Sequence, residues 1–146
     1  SWDEYFLQMS ELVSSRGTCD RAYVGAVIVK GRRLLATGYN GAPMGLPHCS
    51  EVGHEMHRVV GEDGIISEHC IRTTHAEMNA IANAARFGVS IEEATMYCTY
   101  TPCYACAKVL INSGVQRFVA MNDYHASSRT KEVFKEAGLK LEIIKK

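Results

Sequence analysis

Two short motifs constrain this chain more than anything else in it. His75-Ala76-Glu77 stands directly ahead of a run with helical spacing, from about Ala76 to Phe87. Pro102-Cys103-Tyr104-Ala105-Cys106 opens a second such run, which ends at Gly114. A strand-like stretch, "ATMYCTY", lies between them. Each motif therefore sits at a strand-to-helix or loop-to-helix junction. Side chains two apart diverge inside a helix, but at its start they can still converge on one cavity.

The rest of the chain supplies a scaffold for such junctions. Residues 1–16 carry Trp2, Tyr5, Phe6, Met9, Leu12 and Val13 at helical spacing, and Ser1 with Glu4 resembles a capping box. "AYVGAVIVK" and "RLLATGYN" predict a hairpin around Gly31. "VQRFVAM" and "LKLEII" predict two more strands, separated by a helix over 127–137 that Gly138 stops. Cys98 reads as core, and Met78, Ile81 and Ala82 are expected to pack their helix on the sheet. The stretch from Gly41 to Thr74 has weak periodicity and is too long for an idle connection. Strands alternating with helices argue one α/β sandwich domain over 1–146 with some parallel pairing.

The chemistry of the two motifs points to a metal. Cys103 and Cys106 are three apart and share one face of a first helical turn. Unpaired backbone N–H groups at that positive helix end favour their thiolates. A redox pair is the rival reading, but thioredoxin-like use would place it after an early strand. His75 supplies a third ligand, and Glu77 faces the fourth position without binding. Three protein ligands and one open position is the catalytic arrangement for zinc. Zinc lowers the pKa of water to about 7. Two thiolates weaken that effect, and two helix N-termini partly restore it. The pattern H-A-E…P-C-x-x-C matches the signature of zinc nucleobase deaminases, in which the Glu moves protons as water attacks the ring.

Charge and cysteine usage narrow the partners. Sixteen basic residues balance 16 acidic ones, whereas a polyanion-gripping surface shows a basic excess. A small substrate is favoured over nucleic acid. Nothing marks an oxidising compartment for the six cysteines. No apolar run approaches the ~20 residues of a membrane span. The expectation is a cytoplasmic protein.

Over nearly its whole length the chain resembles the deoxycytidylate (dCMP) deaminases. The resemblance runs through "SWDEYF", "GTCDRAYVGAVIV", "TGYNGAPMGLPHC", "CIRTTHAEMNAI", "TPCYACAK" and "NDYH". It implies a cytidine deaminase-like fold, a three-layer α-β-α sandwich with a mixed five-stranded sheet. It implies conversion of dCMP to dUMP with release of ammonia, in a homohexamer activated by dCTP with Mg²⁺ and inhibited by dTTP. By the same resemblance Asn40 holds the sugar and base and Tyr124 lies near the substrate phosphate, with Ala76 a further substrate contact. Arg129 either adds charge at the phosphate or is a surface residue of the last helix. Gly41, Ala42 and Gly45 fall in the effector-binding loop.

Four further candidates remain. Three cysteines around a histidine-rich stretch suit a structural metal that clips Gly41–Thr74 to the start of the sheet. Members of the resembled family often carry such a zinc. The expected ligands are Cys19, Cys49, His54 and Cys70. His57 in place of His54, or His69 in place of Cys70, gives the alternative sets. Two other functions stay open: a tRNA adenosine or free nucleoside or base deaminase, and a non-catalytic zinc-stabilised binding module.

Overall fold

The computed structural model describes residues 1–61 and 63–145. Helix α1 (Trp2–Ser14) leads into the antiparallel pair β1 (Gly25–Lys30) and β2 (Arg33–Tyr39). After the 41–74 segment come α3 (Ala76–Arg86), β5 (Thr95–Tyr100), α4 (Tyr104–Asn112), β6 (Arg117–Asn122), α5 (Ser128–Ala137) and β7 (Lys140–Ile143). The segment itself holds α2 (Cys49–Val52), β3 (Met56–Val60) and β4 (Ile66–Cys70).

A mixed five-stranded sheet in the order β2-β1-β5-β6-β7 forms the middle layer. β1 pairs antiparallel with β2 and β5, while β5, β6 and β7 run parallel. Successive residues alternate between its faces, as the period of a strand requires. Ala26, Ile28, Met96, Cys98, Phe118 and Ala120 pack under α3, α4 and α5. Val27, Val29, Tyr97, Val119 and Met121 pack against Phe6 and Leu7 of α1. The parallel order brings the starts of α4 and α5 to the same end of the sheet, beyond the C-termini of β5 and β6.

Two helix faces differ from the sequence expectation, and both for one reason. In α1, Phe6, Leu7 and Ser10 are buried, while Trp2, Tyr5 and Leu12 stand exposed. The capping box at Ser1 and Glu4 is present. Ser10 faces inward because the helix backbone passes close to Gly25, where a Cβ would collide with the Ser10 carbonyl. In α3, Ala76, Ala80 and Ala84 face the sheet, in place of the expected Met78 and Ala82. Ala82 is exposed, and Ile81 packs only at the margin. A Cβ on Gly38 of β2 would collide with the backbone of Ala76 and Ala80. Close approach selects small residues, which a hydrophobic periodicity does not register.

That contact carries a prediction. Gly38→Ala pushes α3 off the sheet and costs roughly 1–3 kcal/mol, the usual penalty of overpacking. A drop in the thermal midpoint is the expected result. An unchanged midpoint would show that the backbones do not meet as described.

Arg117 ties α1 to the sheet. Its Nη2 donates to Asp3 at 2.8 Å and to Glu142 at 2.9 Å, and the Tyr97 hydroxyl donates to Asp3 at 2.7 Å. The guanidinium holds both carboxyls below the usual carboxylate range. The 41–74 segment, by contrast, folds as an appendage. β3 and β4 pair only with each other among the described residues, and their side chains are mostly exposed. No helix among the described residues is long and apolar enough to cross a membrane.

Candidate active site

His75 is the N-cap of α3, with extended backbone angles of φ −65° and ψ 148°. That break from helical geometry lets its ring point back across the end of the helix. Cys103 is the N-cap of α4 in the same manner, with φ −70° and ψ 168°. Helix α4 begins at Tyr104, so Pro102 lies just outside it and not in its first turn. The Pro102 carbonyl instead accepts from the buried Thr130 hydroxyl at 3.0 Å, which fixes this junction to α5. Cys106 sits within the first turn and is fully buried.

The three side chains meet. His75 Nδ1 lies 3.3 Å from Cys106 Sγ and 3.5 Å from Cys103 Sγ. Their ligand atoms all lie within 4.8 Å of one another. One imidazole nitrogen and two thiol sulfurs form a donor set of the kind that zinc prefers. Metal binding needs a neutral His75 and two thiolates, so it displaces protons that these donors otherwise share. The Cys106 and His75 hydrogen bonds lower the Cys103 thiol to about 4, and Cys103 in turn raises His75 to about 9. A thiolate is therefore already favoured among these donors.

Glu77 belongs to the same cavity but not to the ligand set. It is 5% exposed, and burial raises its carboxyl to about 7 against the opposing pull of His75. A buried carboxyl poised near neutrality can both take and give a proton.

The four-residue cluster lies at the base of the 41–74 segment. Cys19, Cys49, His54 and Cys70 place their ligand atoms within 4.8 Å of one another. Cys19 Sγ stands 3.5 Å from His54 Nδ1, and Cys49 Sγ stands 3.5 Å from Cys70 Sγ. His54 Nε2 is 2.8 Å from Asp20 Oδ1, the outer carboxylate that commonly orients a ligating histidine. The alternative histidines point elsewhere: His69 bonds Ser67 at 2.9 Å, and His57 sits exposed beside Glu55 at 3.7 Å. Burial opposes ionisation of Cys70, but hydrogen bonds from the backbone of Glu55 and Arg72 and from the Cys49 and His54 side chains together bring the thiol to about 6.

The remaining expected site residues fall in varied places. Asn40 is buried, and both hydrogens of its amide are committed within the chain. They go to the carbonyls of Cys19 at 3.1 Å and Ala22 at 2.6 Å, while its oxygen accepts from Val24 at 2.8 Å. It braces residues 19–24 against the rim. Ala76 is fully buried, with its side chain packed in the core. Tyr124 is half-buried, lies with its ring centroid 4.4 Å from that of His125 in a tilted arrangement, and donates its N–H to Thr101 Oγ1 at 2.6 Å. Arg129 pairs with Glu132 at 3.1 Å and lies 5.3 Å over the Tyr104 ring, one residue from Cys103. Gly41 pairs with Thr74 next to His75, Ala42 donates to His48, and Gly45 turns at φ 85°.

Sequence reasoning did not single out Thr101 and Asp123, whose 3.2 Å hydrogen bond stitches the loops after β5 and β6 at the mouth of the site. Gly38 was expected to let the loop turn tightly around Asn40, but it lies within β2 and serves the close approach of α3. His48 was noted only as one of the histidines beside the four-residue cluster.

Comparison with known proteins agrees with this geometry. The family model for the cytidine and deoxycytidylate deaminase zinc-binding region matches residues 1–122. The chain is 40% identical over 142 residues to ComE operon protein 2 of Bacillus subtilis, covering 97% of this chain and 70% of that protein. It is 41% identical over 120 residues to the deoxycytidylate deaminase of Mycobacterium phage D29, covering 81% and 92%. Among solved structures, the dCMP deaminase of cyanophage S-TIM5 in complex with dCMP and dUMP superposes with a TM-score of 0.79 at 31% identity, covering 97% and 95%.

Proposed function

We propose that this chain, which belongs to the cytidine and deoxycytidylate deaminase family, hydrolyses dCMP to dUMP and ammonia and so supplies dUMP for thymidylate synthesis. One observation carries the reading. A buried, unligated carboxyl, Glu77, stands beside a histidine and two cysteines whose ligand atoms converge. The relatives named as dCMP deaminases supply the substrate.

His75, Cys103 and Cys106 would hold the zinc. When bound, zinc supplies the Lewis acidity that makes water a nucleophile near neutral pH. The chain's own part falls chiefly to Glu77. Its carboxylate takes a proton from the attacking water and gives it to N3 of the ring. Water thereby adds across the C4–N3 bond. The regenerated carboxylate then takes the proton of the new C4 hydroxyl and passes it to the amine at C4, which leaves as ammonia as the C4 carbonyl forms. Burial keeps that proton from exchanging with bulk solvent. Tyr124 and Arg129 stand on the loop and first turn that follow β6 and are assigned to the substrate phosphate. Asn40 is assigned to the sugar and base side through its amide oxygen, which has a lone pair to spare.

Regulation follows on the same reading. Gly41, Ala42 and Gly45 form the effector loop, with dCTP and Mg²⁺ activating and dTTP inhibiting a cytoplasmic homohexamer. The direct link from Gly41 to Thr74 gives that loop a route to His75. Cys19, Cys49, His54 and Cys70 hold a second, structural zinc.

A spectrophotometric assay tests the activity. The expected result is turnover of dCMP, weak turnover of deoxycytidine, none of a tRNA anticodon stem, and a response to dCTP and dTTP. Turnover of the tRNA substrate but not of dCMP would overturn the assignment.

A further inference from the structure

His48 belongs to neither ligand set, yet it joins three segments of the site. Its Nδ1 accepts the N–H of Ala42 at 3.2 Å and lies 2.7 Å from the Thr18 hydroxyl. A backbone N–H only donates, so Nδ1 carries a lone pair, and the Thr18 hydroxyl donates to the same atom. The ring hydrogen is then on Nε2. Next to Ala42, Gly41 pairs with Thr74 in both directions, at 3.2 Å and 2.7 Å. Thr74 immediately precedes His75. On its other side His48 precedes Cys49 of the four-residue cluster, and Ser50 donates its N–H to the Thr18 carbonyl at 3.1 Å. Gly41 is packed tightly here: a Cβ would stand 3.2 Å from Thr18 Oγ1 and 3.6 Å from His48 Cε1.

Residues 41–42 thus form a strap. Thr74 holds one side of it by backbone bonds, and His48 holds the other by one ring nitrogen. We propose that His48 is a positioning residue of the active site: its Nδ1 presses the Gly41–Ala42 strap against Thr74 and so fixes the segment that delivers His75. The effect on turnover rests on the deaminase reading; the strap itself does not.

The test compares His48→Ala, His48→Gln and His48→Asn in the full chain. Asparagine places an amide oxygen where Nδ1 stands, whereas glutamine carries its oxygen one bond further out. Each hydrogen bond contributes about 1 kcal/mol net, so losing both speeds local opening by about tenfold or more. Hydrogen exchange in peptides spanning 40–46 and 72–76 is expected to accelerate by about that factor in the alanine and glutamine variants. The β1–β2 hairpin should exchange as in the parent, and the asparagine variant should keep its protection. The value of kcat/KM for dCMP should fall about tenfold in the first two and recover in the third. Unchanged exchange at 40–46 in His48→Ala overturns the proposal, as does equal behaviour of the glutamine and asparagine variants. If the alanine variant does not fold, the near-isosteric pair decides alone. If the parent protein turns over no dCMP, the proposed function fails, and the exchange pattern still decides the strap.

Discussion

Replacing Glu77 with glutamine is expected to lower turnover of dCMP by roughly 10²–10⁴-fold, the range that a positioned general acid–base supplies, while metal content stays at the parent level. The two halves of that result come from one geometric fact. Glu77 is buried beside the ligand cluster but is outside it, since the donors that converge are His75, Cys103 and Cys106. Glutamine keeps the volume and the polarity of the side chain and removes only the proton transfer. A variant that loses its metal would show that the carboxylate is a ligand. A variant that keeps tens of per cent of the turnover would show that another group moves the proton.

The pH profile gives an independent check of the same residue. Glu77 must be ionised to take a proton from water, and burial raises its carboxyl from 4.5 to about 7. The ionised fraction therefore rises with pH through that range. The acid limb of kcat/KM against pH should lie above the ordinary carboxylate range. A limb centred at or below 4.5 would mean that positive charge beside the carboxyl in the working enzyme outweighs its burial.

What the sequence made legible follows from how local each constraint is. His75 and Glu77, and likewise Cys103 and Cys106, are placed by a helix start within a few residues, so spacing alone brings them near each other. The central strands were equally readable, because Ala26 to Val29 and their counterparts are short, continuous, apolar runs, as burial on both faces requires. The β3–β4 ribbon was not readable. Met56–Val60 and Ile66–Cys70 bury almost nothing, so no hydrophobic pattern marks them. The inward faces of α1 and α3 were misread wherever contact is made by Ser10, Gly25, Gly38 and alanines, since closeness of backbones needs small side chains and not apolar ones. The role of His48 was invisible because its partners, Thr18 and Ala42, approach it only through the fold.

The native protein is expected to carry two zinc ions per chain, and Cys70→Ser to carry one, with hydrogen exchange across 49–72 faster by roughly 10²-fold or more. The size of that effect follows from what else holds the segment. A two-stranded ribbon is marginal in water unless it packs on something, and β3 and β4 form no sheet with any other described strand. Their side chains point largely to solvent, with Val60, Ile65 and Ile66 each more than half exposed. What anchors the ribbon is its base, where Met56 pairs with Cys70 and where Cys70 meets Cys49, His54 and Cys19. A metal at that point closes a loop whose two ends are otherwise tied mainly by the Gly41–Thr74 bridge. Chain ordering that costs entropy is then offset by ligand bonds and not by a core. The central sheet should lose little protection in the same variant, because its two apolar clusters do not include the ribbon. A stoichiometry of one zinc in carefully prepared parent protein would remove the second site. Unaltered exchange in Cys70→Ser would mean that the ribbon is held by something other than its four-donor base.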